Sequence, residues 1–398
     1  MHRPLLIALA LCAASPTLLA NPAERTPACC DITTLRQRGE QAAAVVYGTL
    51  EHAPDDAETV TLRIDRVLKG EADHAGLKSL PLPSRAARTS DPKNPQKQVV
   101  FCELADGKPV PCYGVPVASA GFLEYVRKVL ALKAGDRTAA LKFFFEALDH
   151  DHPGIASDAF TEFVYADYED VRKVAAAFPA DRIVGWLQDP RTPSWQYGVF
   201  SLLLGHCGKP EHAAVIRKAL DDPRFQNVTI VDGALNGYTL LAPEQGWAYI
   251  RAVLTGPRDP APRGGVPGAA DGNGEDGGFC RRYAALKSAK FLHQHWPDRV
   301  GRAKLITGVA LALDQPDIVD LVIDFLREVQ AADQVERVLA LVEQPGSVSP
   351  MARRALARFA LAFRTHPKAA AFLARQDAEW TRWIEEAERE KAFEKKLP

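Results

Sequence analysis

Four times the chain closes an apolar stretch with leucine, aspartate and, shortly after, proline. The sites are Leu148-Asp149-His150-Asp151-His152-Pro153, Leu187-Gln188-Asp189-Pro190, Leu220-Asp221-Asp222-Pro223 and Leu313-Asp314-Gln315-Pro316. The first three prolines stand 37 and 33 residues apart. The step to the fourth is 93 residues, and it contains a Gly/Pro-rich insert of about 23 whose removal leaves roughly two more periods. Recurrence on this length scale marks stacked helical pairs, because one pair cannot bury its apolar face alone and uses the next pair as core. The expected fold class is therefore mostly α, an α-solenoid. Such an array is a surface rather than a chemistry.

Helical periodicity supports this from Val117 onward. Leu141, Phe144, Phe145 and Leu148 fall on one stripe, as do Ile318, Leu321, Val322, Phe325, Leu326 and Val329 after Pro316. Proline in a first helical turn loses no backbone hydrogen bond, and a preceding aspartate can cap the free N–H groups, which is the physical logic of Asp-x-Pro between helices. The stretches 151–159 and 170–175 resemble the inter-helix turn and second helix of HEAT repeats, and the whole segment 116–398 resembles a divergent HEAT-like α-solenoid. The resemblance extends to a two-part layout found in uncharacterised exported bacterial proteins, and it implies a fold without an activity.

The preceding segment differs. Ala44–Glu51 and Thr59–Gly70 are β-branched and partly alternating, and Gln98–Leu104 is a third strand candidate. Pro81 to Pro95 reads as a loop. Asp106-Gly107 reads as a hairpin turn that brings Cys102 and Cys112 near facing positions if its loop is three residues long. A strand ending in Val-Tyr-Gly-Thr followed by one ending in Arg-Val-Leu-Lys-Gly looks like the small OB-like β-barrel similar to that of tissue inhibitors of metalloproteinases and netrins. The resemblance implies a barrel domain over 21–115. That family inhibits through an N-terminal cysteine whose amine binds the catalytic zinc, whereas Cys29 would lie several residues inside the mature end.

The N-terminus reads Met1-His2-Arg3, an apolar run from Leu5 to Ala14, then Ser15 to Ala20, which predicts a signal peptide over 1–20 and an exported, periplasmic or secreted chain. Cleavage is expected after Ala20, with Ala14 as the other choice, and Leu11 before Cys12 is too large for a lipoprotein signal. Beyond it, no stretch has the roughly 18 apolar residues of a membrane span. Removing Cys12 leaves Cys29, Cys30, Cys102, Cys112, Cys207 and Cys280, an even set suited to an oxidising compartment. The first four are expected to pair among themselves, bracing the barrel, and Cys207 with Cys280. Gly256 to Gly278 forms the Gly/Pro-rich insert, whose Asp271-Gly272-Asn273-Gly274-Glu275 starts like a calcium loop but lacks the required Gly and Glu farther on. The last stretch, Pro367 to Leu397, reads as a charged helix with Trp380, Trp383 and Ile384 as its apolar stripe, capping the array.

Charge excludes little and suggests little: 49 basic against 50 acidic residues gives a formal −1, with no basic excess pointing to nucleic acid. Asp149, His150, Asp151 and His152 form the most metal-like stretch, yet they coincide with a repeat turn where capping explains the aspartates. His293-Gln294-His295 and Gly205-His206-Cys207-Gly208 place their side chains on diverging helix faces. No nucleophile elbow, zinc-protease or phosphate-loop motif occurs, so no catalytic residue or cofactor is assigned. The sequence reading is an exported non-enzymatic scaffold that binds another protein of the cell envelope through its solenoid surface. Two alternatives are an envelope hydrolase or hydrolase regulator with its site where barrel meets solenoid, and a metal-responsive binder using Asp149 to His152.

Overall fold

The structure, a computed structural model, describes residues 33–51, 58–70, 74, 76–83, 95–222, 228–256, 277–343, 349–375 and 378–394. The signal segment, Cys29, Cys30, Pro223 and residues 257–276 of the insert lie outside that set. The chain is mostly helical, with a barrel-like sheet near its N-terminus. It divides into two compact units, Met1–Val174 and Ala175–Pro398.

In the first unit, strands β1 (Ala44–Leu50), β2 (Thr59–Lys69), β3 (Ser79–Pro83), β4 (Lys97–Ala105) and β5 (Lys108–Pro116) form one antiparallel sheet in the order β3-β2-β1-β4-β5. Strands β3 and β5 also approach each other, so the sheet is nearly closed. Alternation sets what lies inside: Ala44, Val46, Leu50, Val60, Leu62, Leu80, Leu82, Val100 and Cys102 make one buried cluster. Central strand β1 is buried on both faces, since Val45 is also fully covered.

The expected strands are present, with two corrections. Residues 81–83, read as loop, belong to β3. Its hydrogen-bonded positions are the even ones, as Ile64 N donating to Lys78 O shows, and Pro81 and Pro83 face Thr61 and Thr59 between them. The prolines therefore sit where an N–H would point away from β2 and cost the ladder nothing. The hairpin loop has two residues, not three: Ala105 faces Lys108, and Asp106 and Gly107 take φ of 51° and 73°, the conformation of a tight primed turn. Cys102 consequently faces Pro111, and a register shift follows between Phe101 and Cys102.

The Val-x-Gly-Thr and Val-Leu-Lys-Gly motifs have local structural work. A Cβ on Gly48 would overlap the Arg63 carbonyl where β1 and β2 shift register. Lys69 Nζ donates to the carbonyls of Gly39 at 2.6 Å and Ala42 at 2.7 Å, closing the C-terminal end of helix α1 (Leu35–Gln41). Gly70 follows with φ 77°, and a Cβ there would meet the Ala43 carbonyl at 2.7 Å. Helices α2 (Ala120–Leu130), α3 (Arg137–Phe145), α4 (Pro153–Val164) and α5 (Tyr168–Ala175) complete the unit, and the stripe Leu141, Phe144, Phe145, Leu148 is buried as expected.

The second unit is built of consecutive helical pairs. These are α6 (Ala180–Gln188) with α7 (Tyr197–Cys207), α8 (Ala213–Leu220) with α9 (Val228–Leu241), and α10 (Pro243–Thr255) with α11 (Gly277–His295). After the single turn α12 (Pro297–Val300) come α13 (Arg302–Ala310) with α14 (Val319–Glu328), α15 (Val335–Ala340) with α16 (Pro350–Ala362), and α17 (Pro367–Leu373) with α18 (Ala378–Glu394). Second members pack on one another, α7 on α9 on α11 and α14 on α16 on α18. The step from α11 to α14 is bridged by Arg282, whose guanidinium meets the Asp317 carboxylate at 2.7 Å. First members form a second row, α6 on α8, α10 on α13 and α15 on α17. Tyr249 of α10 reaches the Leu220 carbonyl at the end of α8 at 3.3 Å.

Two glycines let the rows close up. A Cβ on Gly237 would overlap the Ser201 carbonyl, and one on Gly233 would run into Gly198, so α7 and α9 approach backbone to backbone. Helix α9 is buried on every side from Ala234 to Leu241. At the C-terminal end Ala387, with the partly buried Trp383 and Ile384, packs against Ala357 and Leu361 of α16, and buried Trp380 lies edge-on to Phe372 of α17. No described helix is long and apolar enough to cross a membrane.

Candidate functional site

The turn from Asp149 to His152 was the most metal-like stretch, and the structure gives its histidines a backbone role. His150 Nδ1 accepts from His152 N at 2.9 Å, and His152 Nδ1 accepts from Gly154 N at 3.2 Å, capping α4 with Pro153 in its first turn. His152 also stacks on Phe122, ring centres 5.0 Å apart. The cap is thus histidine rather than the expected aspartate. Among the described residues no three His, Cys, Asp or Glu side chains gather as metal ligands. At the other repeat turns the aspartate works differently. Asp189 Oδ1 accepts from Arg191 N at 2.8 Å around Pro190, and Pro316 lies in a turn ahead of α14 rather than in its first turn.

A cluster of buried and half-buried ionisable groups in the first unit lies where α1 meets α4. Thr34 caps α1, accepting from Gln37 N at 3.2 Å, while its own N–H donates to Gln37 Oε1 at 3.1 Å. The Thr34 hydroxyl in turn donates to Glu162 Oε1. Arg36 Nε bridges both Glu162 oxygens at 3.0 and 3.1 Å, and Arg137 approaches the same carboxylate at 3.4 Å. One turn earlier on α4, Asp158 Oδ1 accepts from Leu35 N at 2.8 Å and Oδ2 from the Tyr125 hydroxyl at 2.7 Å. Asp158 and Glu162 are four apart on a helix whose neighbours Ile155, Ala159 and Phe163 are buried, so both acids face α1.

Burial pushes Asp158 up to about 6, offset in part by the Leu35 amide and Tyr125 hydroxyl. Burial, then the neighbouring Asp158, raises the Tyr125 phenol as well. Chemically, Glu162 accepts one hydroxyl and two guanidinium contacts, and each Asp158 oxygen accepts a donor of its own. The arrangement is a clamp on the N-terminus of α1, with its acceptors already engaged. Sequence reasoning missed it because the partners lie more than 100 residues apart. The one local signal was the acid pair embedded in an otherwise apolar helix.

Buried polar groups of the second unit center on α9. Asp232 pairs with Lys287 of α11 at 2.5 Å, and Ser288 Oγ donates to the Asp232 carbonyl at 3.2 Å. Burial raises the Asp232 carboxyl, and Lys287 opposes that. His293 lies edge-on to Phe325, ring centres 6.0 Å apart, with its charged form disfavoured by burial first and then by Arg302. Cys207 donates its thiol to the Leu203 carbonyl at 3.3 Å, and Gly205 packs on Gly237. The structure holds Cys102, Cys112, Cys207 and Cys280 as thiols, so the expected Cys207–Cys280 bridge is not formed in it. In the barrel, Cys112 Sγ contacts the Phe101 carbonyl at 3.2 Å and burial pushes the Cys102 thiol up to about 12; Cys29 and Cys30, the other members of the expected barrel pairings, lie outside the described residues.

Comparison with protein-family models, with curated proteins and with solved structures finds no match for this chain.

Proposed function

We propose that this chain is an exported, non-enzymatic scaffold that holds another protein of the cell envelope on its stacked helices. The observation that carries the reading is the pair of helix rows in the second unit, in which like members of successive pairs pack on one another. Repetition of that kind lays a long, nearly continuous surface on one face, which suits protein binding better than it suits enclosing a small substrate. It supports the HEAT-like resemblance of 116–398. The strand order of the first unit, with β3 against β5, supports the OB-like one. Two exposed residues on the described stack, Tyr283 and Met351, are of types enriched at protein interfaces. Export rests on the N-terminal segment, and balanced charge argues against a nucleic-acid partner.

One alternative, a hydrolase or hydrolase regulator at the junction, draws on the raised Asp158. The engaged acceptors around Asp158 and Glu162 favour the clamp over it. The metal-responsive alternative would need His150 and His152 to give up the backbone contacts of their Nδ1 atoms.

The test begins with affinity capture from envelope extract by the mature chain and mass spectrometry, followed by titration calorimetry with the purified partner. The scaffold reading expects 1:1 binding that weakens several-fold in Tyr283→Ser and Met351→Ser. Turnover of ester, peptide or phosphate substrates by the purified chain, lost in Asp158→Asn, would replace the scaffold with the junction enzyme.

A further inference from the structure

We propose that the face of α16 carrying Arg353, Arg354 and Arg358 is a docking surface for an acidic, tryptophan-bearing amphipathic helix of another protein, and that α18 fills it in cis as a displaceable strap.

Three observations meet here. The first is the kind of contact α18 makes. Its apolar residues Trp380, Trp383, Ile384 and Ala387 follow the spacing of a single seam, and Thr381, Arg382, Glu385, Glu388 and Arg389 remain exposed. A seam flanked by charge resembles a separable interface more than a core, in contrast to α9, which is covered all round. The second is charge complementarity. Arg354 pairs with Glu390 and lies 3.6 Å from Glu386, while Arg358 reaches Glu390 at 3.7 Å. Arg353 stands over the Trp380 ring at 5.7 Å. The basic side is α16 and the acidic side is α18, so any competitor must be acidic with an aromatic anchor.

The third observation is that α18 leaves this surface incompletely satisfied. The Nε atoms of Arg354 and Arg358 are buried and have no hydrogen-bond partner among the described residues. A guanidinium offers five donors in a fixed fork and binds a carboxylate best with two of them. Each guanidinium has one close carboxylate, Glu390 for Arg354 and Asp324 for Arg358, but the second contacts, at 3.6 and 3.7 Å, fall short of a two-bond fork and leave each Nε over. A helix placing its carboxylates slightly differently would gain what α18 does not, which is the condition for displacing a ligand held in cis at high effective concentration. The inference depends on α16 and α18 alone, and stands or falls apart from whether the helix rows bind an envelope protein.

The experiment uses the full chain, a Glu386→Lys/Glu390→Lys variant, and a labelled peptide of residues 378–394 in the natural sequence as probe. Hydrogen exchange should quicken in α18 of the variant while α14 stays protected, and wild type should behave likewise in about 1 M NaCl, where surface ion pairs are screened. The peptide should bind the variant about tenfold or more tighter than wild type, whose surface is filled. Adding Arg354→Glu to the variant should abolish that gain. Arg354 pairs with α18 acids and Arg358 keeps its 2.7 Å contact with Asp324, so this change spares the α14 contact. Unchanged α18 exchange in the variant, equal peptide affinity for wild type and variant, or binding indifferent to Arg354→Glu would each overturn the proposal.

Discussion

Asp158 sits among charged and titratable groups from every element packed around it: Arg36 of α1, Tyr113 of β5, Tyr125 of α2, and Glu162 on its own helix. Burial pushes its carboxyl up to about 6 in the folded state, against about 3.9 for an unconstrained aspartate. The folded state therefore holds the extra proton, and the stabilisation this gives is complete below about pH 4 and lost as pH rises through about 6. Through this group the first unit should be more stable in mild acid than at neutral pH. Denaturant midpoints of the first unit should fall from about pH 4.5 to 7 in wild type and stay nearly level in Asp158→Asn. Parallel slopes in the two proteins would show that Asp158 keeps an ordinary acidity. In the second unit, two glycines make an internal control. Gly237→Ala drives a methyl into the Ser201 carbonyl and should cost about 1–3 kcal/mol. Gly185→Ala on α6 meets nothing within 4 Å and should instead stabilise by roughly 0.5–1 kcal/mol. Chemical denaturation reads both, and equal effects would mean that α7 and α9 are not in backbone contact.

At the scale of elements, α1 shows why a short helix can be invisible in sequence. Seven residues cannot sustain a helix from local propensity. Its start is held by Asp158 and the Thr34 box, its end by Lys69, and these partners come from a helix and a strand elsewhere in the chain. Replacing Lys69 with methionine keeps the aliphatic stem and removes the charge from the carbonyls of Gly39 and Ala42. A loss of about 1 kcal/mol is expected, with faster proteolysis before Ala44; unaltered proteolysis would assign the closure of α1 to something else. Strand β3 escaped for another reason. Pro81 and Pro83 read as breakers until the register shows that neither nitrogen faces β2. By contrast β1, β2, β4 and the stripes of α3, α14 and α18 were legible, because their patterns come from burial on one face and repeat within a few residues. The Asp-x-Pro turns were legible as boundaries but not as caps. Which side chain closes a helix depends on geometry a few tenths of an ångström fine, and His152 took that place at Pro153.

Across the whole molecule, stability should be read unit by unit. The helical pairs couple mainly to their neighbours, so damage ought to spread along the rows and fade with distance. Phe325 on α14 is buried, edge-on to His293 of α11, and Phe325→Ala should cost on the order of 3–5 kcal/mol. Hydrogen exchange should rise most in α11, α14 and α16, less in α6 and α7, and hardly in β1 to β5. A uniform rise would indicate one cooperative block instead. The period of the repeat announced this architecture, while the clamp on α1 could not be announced by anything local, since its members are assembled only by the fold. The prolines of the sheet reach beyond folding altogether. An uncovered antiparallel edge invites a neighbouring chain to add a strand, and repeated addition builds a fibre. Pro81 and Pro83 on one margin, with Pro109 and Pro111 on the other, withhold the donors such growth requires. Where the sheet stops short of closing, valine at those four positions would restore the missing donors and is expected to make strand addition easier.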